Sequence, residues 1–260
     1  MEATGSGDGS AGDADYGAIG TAYRRFRRPD PRIARVVTAA LGSARTVCNV
    51  GAGAGSYEPT DRQVVAVEPS ATMRAQRPPT AAPVLAATAE ALPFGSGAFE
   101  AGMTTFSVHQ WADPRAGLAE LRRVCRGSIA VLTGDPDRLD GFWLASYCPE
   151  ALAVERRRYP SVDDLAGWLG GDVRHQVVPV PLDCLDGFNE AYYGRPEALL
   201  DPLARRSCSA WSFVDDRVVG RFEEHLASDL ADGSWDRRWG HLRRQPEFAG
   251  SLVLVVAEPG

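Results

Sequence analysis

The sequence predicts a doubly wound α/β fold, a seven-stranded and mostly parallel sheet with a helical cap insertion before its last strand. Three observations carry that reading. Short continuous apolar runs alternate with amphipathic helical segments as far as Thr133, the pattern of parallel strands buried on both faces. A turn with three glycines in alternate positions follows the first of those runs. Beyond Gly134 the pattern changes to helical segments dense in aromatics, and the chain closes on one more apolar strand.

The first 15 residues, MEATGSGDGSAGDAD, are too poor in apolar side chains to order themselves and read as a disordered tail. They carry neither a basic nor an apolar segment of the secretory kind. DYGAIGTAYRRFRRPD is helix and loop. Pro31 then starts a helix with Ile33, Val36, Val37, Ala40 and Leu41 at helical spacing, and Gly42 ends it. The expected strands are 45–50, 63–69, 83–88, 98–106 and 128–133, with a helix over 113–124 before the fifth. Segments 137–160 and 161–170 read as helices and 175–184 as a sixth strand. An irregular helical insertion, a long helix from Arg217 and the closing strand 251–258 follow.

A net charge of −6 argues against a nucleic-acid partner, which needs a basic face. All 28 basic residues are arginine, so Schiff-base chemistry, a phosphate-binding P-loop lysine and a lysine base are excluded. No apolar run approaches membrane-spanning length. The five cysteines are scattered without a C-x-x-C pair, which suits a reducing cytoplasm. With no H-E-x-x-H and no Cys/His cluster, no metal is expected.

TVCNVGAGAGSYEP places Gly51, Gly53 and Gly55 at the carboxyl end of the first strand, where ligands bind in an open α/β sheet. A dinucleotide turn would have its third glycine where Ser56 stands. Taken alone, the turn fits a dinucleotide, a phosphate, a methyl donor or a plain tight turn. Glu68, ending the second strand, can accept both hydroxyl hydrogens of a ribose, and Met73 can lie against an adenine ring.

The ordered series VCNVGAGAG, AVEP, AEALPF with FEA, SVHQW and ELRRV resembles class I S-adenosylmethionine-dependent methyltransferases, within them the small-molecule "type 11" branch. The resemblance runs from about Tyr16 to Thr133 and more loosely to the last strand. It implies a Rossmann-like methyltransferase domain over 16–260, with 134–172 and 183–216 as cap and substrate-binding elements. It implies that Gly51, Ala52 and Gly53 lie against the methionine moiety and Glu68 holds the ribose diol. Pro69 and Met73 would flank the adenine, Thr88, Ala89 and Glu90 would face its edge, and Phe106 would lie beside the sulfonium. Tyr23 and Arg27 would close over the donor. Two positions depart from the family pattern: Asn49 stands where an acid usually precedes the turn, and Thr88 where an aspartate often follows the third strand.

His109, following the fourth strand with an unperturbed pKa near neutrality, is the candidate general base, and Tyr23 is the second catalytic candidate. His175, His225 and His241 read as surface residues. Trp111, Phe142, Trp143, Tyr147, Asp183, Tyr192 and Tyr193, with Asp186, Asn189 and Trp211, supply an aromatic wall with a few polar groups for a substrate pocket. The expectation is therefore a cytoplasmic enzyme, monomer or homodimer. It would use S-adenosylmethionine, release S-adenosylhomocysteine and methylate a small, indole- or phenol-like metabolite on carbon, nitrogen or oxygen, in natural-product biosynthesis. A donor-binding sensor without catalysis and an NAD(P)-dependent oxidoreductase are the competing readings.

Overall fold

The computed structural model describes residues 23–260, with side chains from Arg25 onward; the expected tail lies outside them. A single helical turn, α1 (Tyr23–Phe26), leads into α2 (Pro31–Ala40). Asp30 caps α2 by accepting from the Arg32 N–H, Pro31 occupies the first turn, and Ile33 and Val37, four apart, are buried. The strands β1 (Thr46–Val50), β2 (Gln63–Val67), β3 (Val84–Leu85), β4 (Ala101–Thr105) and β5 (Ile129–Gly134) follow. Between them lie α3 (Ala71–Ala75), capped by Ser70, and α4 (Pro114–Val124), capped by Asp113 and burying Leu118, Leu121 and Val124.

The second half comprises α5 (Pro149–Arg158), α6 (Val162–Leu169), β6 (Asp172–Val177), β7 (Val180–Pro181), α7 (Pro202–Arg206), α8 (Asp216–Ala231), α9 (Ser234–Trp239), β8 (Glu247–Phe248) and β9 (Leu252–Glu258). The sheet runs β3-β2-β1-β4-β5-β9-β6, with β9 antiparallel to both neighbours and the other pairs parallel. It is the seven-stranded, mostly parallel sheet that the sequence predicts. Strand order reverses between β1 and β4, so the loops after Val50 and Thr105 emerge side by side at the carboxyl edge.

Two segments differ from expectation for identifiable reasons. The sixth strand begins earlier, at Asp172, because pairing with β9 recruits polar residues that no alternation marks. It ends before Pro179, which has no N–H for the ladder, and Val180–Pro181 pairs instead with Glu247–Phe248. The helix expected from Asp137 is two 3₁₀ turns, Pro136–Gly141 and Trp143–Ser146, before Pro149 restarts the chain as α5. The third strand shrinks to two residues.

One face of the sheet packs on α4 and α6; the other carries α2 and the cap, whose largest cluster is aromatic. Trp143 sits edge-on to Tyr147 and Trp235, at ring separations of 5.7 and 5.9 Å, and Tyr147 reaches Trp239 at 5.5 Å. The Tyr147 hydroxyl donates to Asp229 at 2.7 Å, fastening α8 to the cluster. Among the described residues no helix is long and apolar enough to cross a membrane.

Because this cluster holds α8 and α9 to the body, Trp143→Ala should cost about 3–5 kcal/mol of folding stability, the usual range for a buried aromatic truncation. Urea denaturation measures it.

Candidate active site

At Gly51 the backbone turns left-handed, with φ +67°, and a β-carbon there would stand 1.7 Å from Ser107 Oγ. Ser107 and Trp111 come from the loop after β4, where the Trp111 indole N–H donates to Ser107 Oγ at 3.0 Å. The loops after β1 and β4 therefore meet backbone to side chain with no spare room. The N–H groups of Gly51 and Ala52 both donate to the Val67 carbonyl, at 2.9 and 3.0 Å, which ties the turn to β2. Gly53 is also left-handed, and a β-carbon there would crowd Met73 at 3.3 Å.

Glu68 lies across this turn, only 7% exposed. One carboxylate oxygen accepts from the Gly53 N–H and the other from the Ser70 N–H, each at 2.8 Å. Burial raises its pKa above 4.5, against the pull of those two N–H groups and of Arg74 and Arg77. A carboxylate has about four acceptor positions, so two hydrogen bonds leave room for two hydroxyl donors. Pro69, Met73, Ala89 and Trp111 give the same cleft apolar walls, and Phe106 closes its end. Buried acceptor, side-chain-free turn and apolar walls suit an adenosine-bearing ligand.

Beneath the turn, Asn49 is fully buried and its amide donates to Glu58 at 3.1 Å. Glu58 also receives Arg77, at 2.7 and 2.8 Å, and the Ala82 N–H, while Arg77 reaches on to the Gly53 carbonyl. The acid missing at position 49 is thus present at 58, already neutralised, and Asn49 is the neutral partner it requires.

A second cavity adjoins the cleft through Phe106. Phe106 has φ +52°, unusual for a residue with a β-carbon, and its ring lies 6.0 Å from Tyr57 and 5.2 Å from Phe188 under the Arg27 guanidinium. Arg27 pairs with buried Asp186 at 2.6 Å, the Tyr57 hydroxyl donates to Asp186 at 2.8 Å, and the Gly187 N–H donates to the Phe26 carbonyl. These contacts strap the N-terminal segment to the cap across the site.

His109, Glu155, Tyr159, Asn189 and Cys208 line this cavity. His109 meets Tyr159 edge-on at 4.6 Å, and its buried Nδ1 has no hydrogen-bond partner. Burial, then the positive charges of Arg158 and Arg27, hold its pKa well below 6.5. A near-neutral imidazole base was expected there; the structure holds a weakly basic one, because the position is desolvated and faces two guanidinium groups. The Asn189 amide donates to Glu155 at 2.8 Å, and its oxygen accepts from the Trp211 indole at 2.9 Å. Burial pushes the Glu155 carboxyl up to about 7, the Asn189 hydrogen bond pulling against it.

Of the expected donor-site residues, Gly51, Ala52, Gly53, Glu68, Pro69, Met73, Ala89 and Phe106 line one cleft. Arg27 lines the second cavity; Thr88 lies outside both, and Glu90 is used in accepting from the Asp113 N–H. The side chain of Tyr23 lies outside the described residues. Trp111 walls the glycine-turn cleft, not the second cavity. Phe142, Trp143 and Tyr147 belong to the aromatic core, and Tyr193 stacks on Phe248 at 5.1 Å. Tyr192 lies buried under Arg195, and Asp183 is a largely exposed partner of Arg32. Glu155 and Tyr159 carry no sequence signal; only the fold brings them to the site. His175 lies on β6, away from both cavities, and among the described residues no cluster of His, Cys, Asp and Glu could hold a metal.

Residues 47–131 match the family profile described as a methyltransferase domain. No curated protein matches the chain. Among solved structures, a protein from Anabaena variabilis, assigned as a methyltransferase from an antibiotic biosynthesis pathway, superposes with a TM-score of 0.82 at 25% identity, over 89% of this chain and 98% of its own. A S-adenosylmethionine-dependent methyltransferase from Thermotoga maritima gives 0.53 at 16% identity, over 92% and 91% of the two chains. A Bacillus halodurans protein assigned as a methyltransferase gives 0.53 at 15%, over 88% and 99%.

Asn49→Asp would set a second carboxyl beside Glu58 with one arginine between them. At pH 8 we expect a loss of roughly 3–5 kcal/mol, the range for an uncompensated buried charge. The introduced carboxyl would have a raised pKa in the folded state, so stability should be recovered as pH falls toward 5. Denaturant midpoints at the two pH values read both effects.

Proposed function

We propose that the chain is a class I S-adenosylmethionine-dependent methyltransferase and that it methylates a small metabolite whose reacting group occupies the cavity beyond Phe106. The observation that supports this reading is the adjacency of two differently built spaces with one shared wall. The cleft of Gly51, Glu68 and Met73 is suited to an adenosine and an amino acid; the cavity of His109, Glu155 and Asn189 is suited to a polar group on an otherwise apolar molecule.

The bound donor supplies an activated methyl group on sulfur, so the protein's own task is to position, desolvate and handle a proton. Glu68 holds the ribose hydroxyls, Gly51 to Gly53 offer bare backbone to the amino acid end, and Met73, Pro69 and Ala89 flank the adenine. Trp111 adds a further apolar wall beside Ser107. Phe106, Tyr57 and Phe188 form an aromatic partition around the transfer path. His109 stays uncharged and orients the acceptor through hydrogen bonding. The aromatic partition favours a planar acceptor, and the cap over it favours a small molecule over a nucleic acid. A role in natural-product biosynthesis draws support from the pathway named for the Anabaena protein.

Trp111 in the cleft wall makes donor binding visible by fluorescence. Wild-type protein should bind S-adenosylhomocysteine in preference to NADH. Glu68→Ala should weaken that binding roughly 10- to 100-fold, the loss expected from removing charge-assisted hydrogen bonds to two hydroxyls. Tighter binding of NADH, or no binding of S-adenosylhomocysteine by the wild type, would overturn the reading.

A further inference from the structure

The cap carries two glutamates withdrawn from solvent, Glu190 buried and Glu155 half-buried at a cavity wall, and their surroundings differ in kind. Glu190 is used up structurally, because both its oxygens accept from the Ser251 N–H at 2.9 Å, ahead of β9. Glu155, on α5, faces the cavity that shares Phe106 with the donor cleft. It forms no ion pair among the described residues and is held by one amide, the Asn189 N–H, which Trp211 fixes in turn. A carboxyl kept in an aromatic-walled cavity with so little compensation is costly. The Trp211–Asn189–Glu155 chain spends two buried hydrogen bonds on orienting it.

From this geometry we infer that Glu155 is the general base, taking the proton from a weakly acidic O–H or N–H of the acceptor, of the phenol, enol or azole class. The inference rests on the function proposed above. In the step, the acceptor's O–H or N–H bond breaks and its proton passes to the Glu155 carboxylate. The freed electron pair forms the new bond to the methyl carbon as the carbon–sulfur bond breaks, the sulfonium leaves as a neutral thioether, and the carboxyl then returns its proton to water. Charge balances: one cation and one carboxylate become two neutral groups.

The electrostatics of the cavity favour Glu155 over His109. Its pKa, about 7, is matched to physiological pH, whereas His109 is too weak a base. The groups around it are Asn189, Glu190, Arg158, Arg27, Tyr159, Cys208 and His109. Burial and Glu190 raise its pKa, while Asn189 and then the two guanidinium groups lower it. Those guanidinium groups disfavour an ammonium acceptor and favour negative charge developing on oxygen or an azole nitrogen. The base is active when deprotonated, so kcat/KM should rise with pH through about 7 and then level.

The test uses full-length protein, S-adenosylmethionine and a set of simple phenols and azoles that includes 4-nitrophenol. We expect Glu155→Gln to bind S-adenosylhomocysteine as the wild type does, to lose roughly 10²- to 10⁴-fold in kcat with little change in KM, and to lose the pH limb. Glu155→Asp should recover part of the rate, and His109→Gln should keep the limb. In the complex with S-adenosylhomocysteine, where no transfer occurs, bound 4-nitrophenol should show phenolate absorbance in the wild type and little in Glu155→Gln. A Glu155→Gln enzyme that keeps the limb or loses S-adenosylhomocysteine binding, or a limb that vanishes in His109→Gln instead, overturns the assignment. Wild type that binds S-adenosylhomocysteine but transfers to no member of the set overturns the acceptor class. Wild type that does not bind it overturns the function beneath both.

Discussion

At Gly51 the first strand ends against Ser107 so closely that no side chain fits, and the rest of the site is arranged around that contact. The contact joins the two loops that leave the sheet where strand order reverses. It holds the turn after β1 at one height relative to the turn after β4. Trp111, locked by its own hydrogen bond to Ser107, becomes a wall of the cleft, and Gly117 lets that wall seat on α4 with no β-carbon in the way. Packing at the switch point therefore decides where the glycine-turn cleft ends and where the second cavity begins.

Four buried or nearly buried carboxylates surround this arrangement, and the way each is compensated separates its role. Glu58 is paired with Arg77 and hydrogen-bonded to Asn49, so it is spent on holding the turn from below. Asp186 takes both Arg27 and the Tyr57 hydroxyl, so it is spent on the strap. Glu68 is held by backbone N–H groups alone, which fix its orientation and leave acceptor capacity for a ligand. Glu155 has one amide partner, and burial pushes its carboxyl up to about 7. Desolvation acts on all four; what differs is how much of it the protein offsets.

The glycine-turn cleft was legible because its requirements are local. A left-handed turn demands glycine, and a strand-end carboxylate marks itself by position, so Gly51, Gly53 and Glu68 stand out in a linear reading. The second cavity is assembled by tertiary contact. Glu155 looks like any charged residue on the helix that contains ERRR, and Tyr159 like any residue before a helix break. The cap aromatics misled for a related reason. Composition marks Phe142, Trp143 and Tyr147 as aromatic, but only packing shows Phe142 against Phe248, Trp143 against Trp235 and Tyr147 against Trp239. The shift of β6 arose the same way, since its pairing with β9 owes more to backbone hydrogen bonds than to side-chain pattern.

Phe106 and Tyr57 are the two described non-glycine residues with positive φ, and their rings face each other 6.0 Å apart. Each conformation costs on the order of 1–3 kcal/mol, and such strain persists only where surrounding structure over-determines it. Here the determinants are visible. Tyr57 is pinned by its hydroxyl to Asp186, and Phe106 is covered by Arg27, which grips the same Asp186. Relaxing either backbone would move a ring out of the partition between the two spaces, and would slacken the strap through Asp186. Strain, ion pair and partition thus form one unit, which ties the packing of the N-terminal segment against the cap to the wall shared by the cleft and the second cavity.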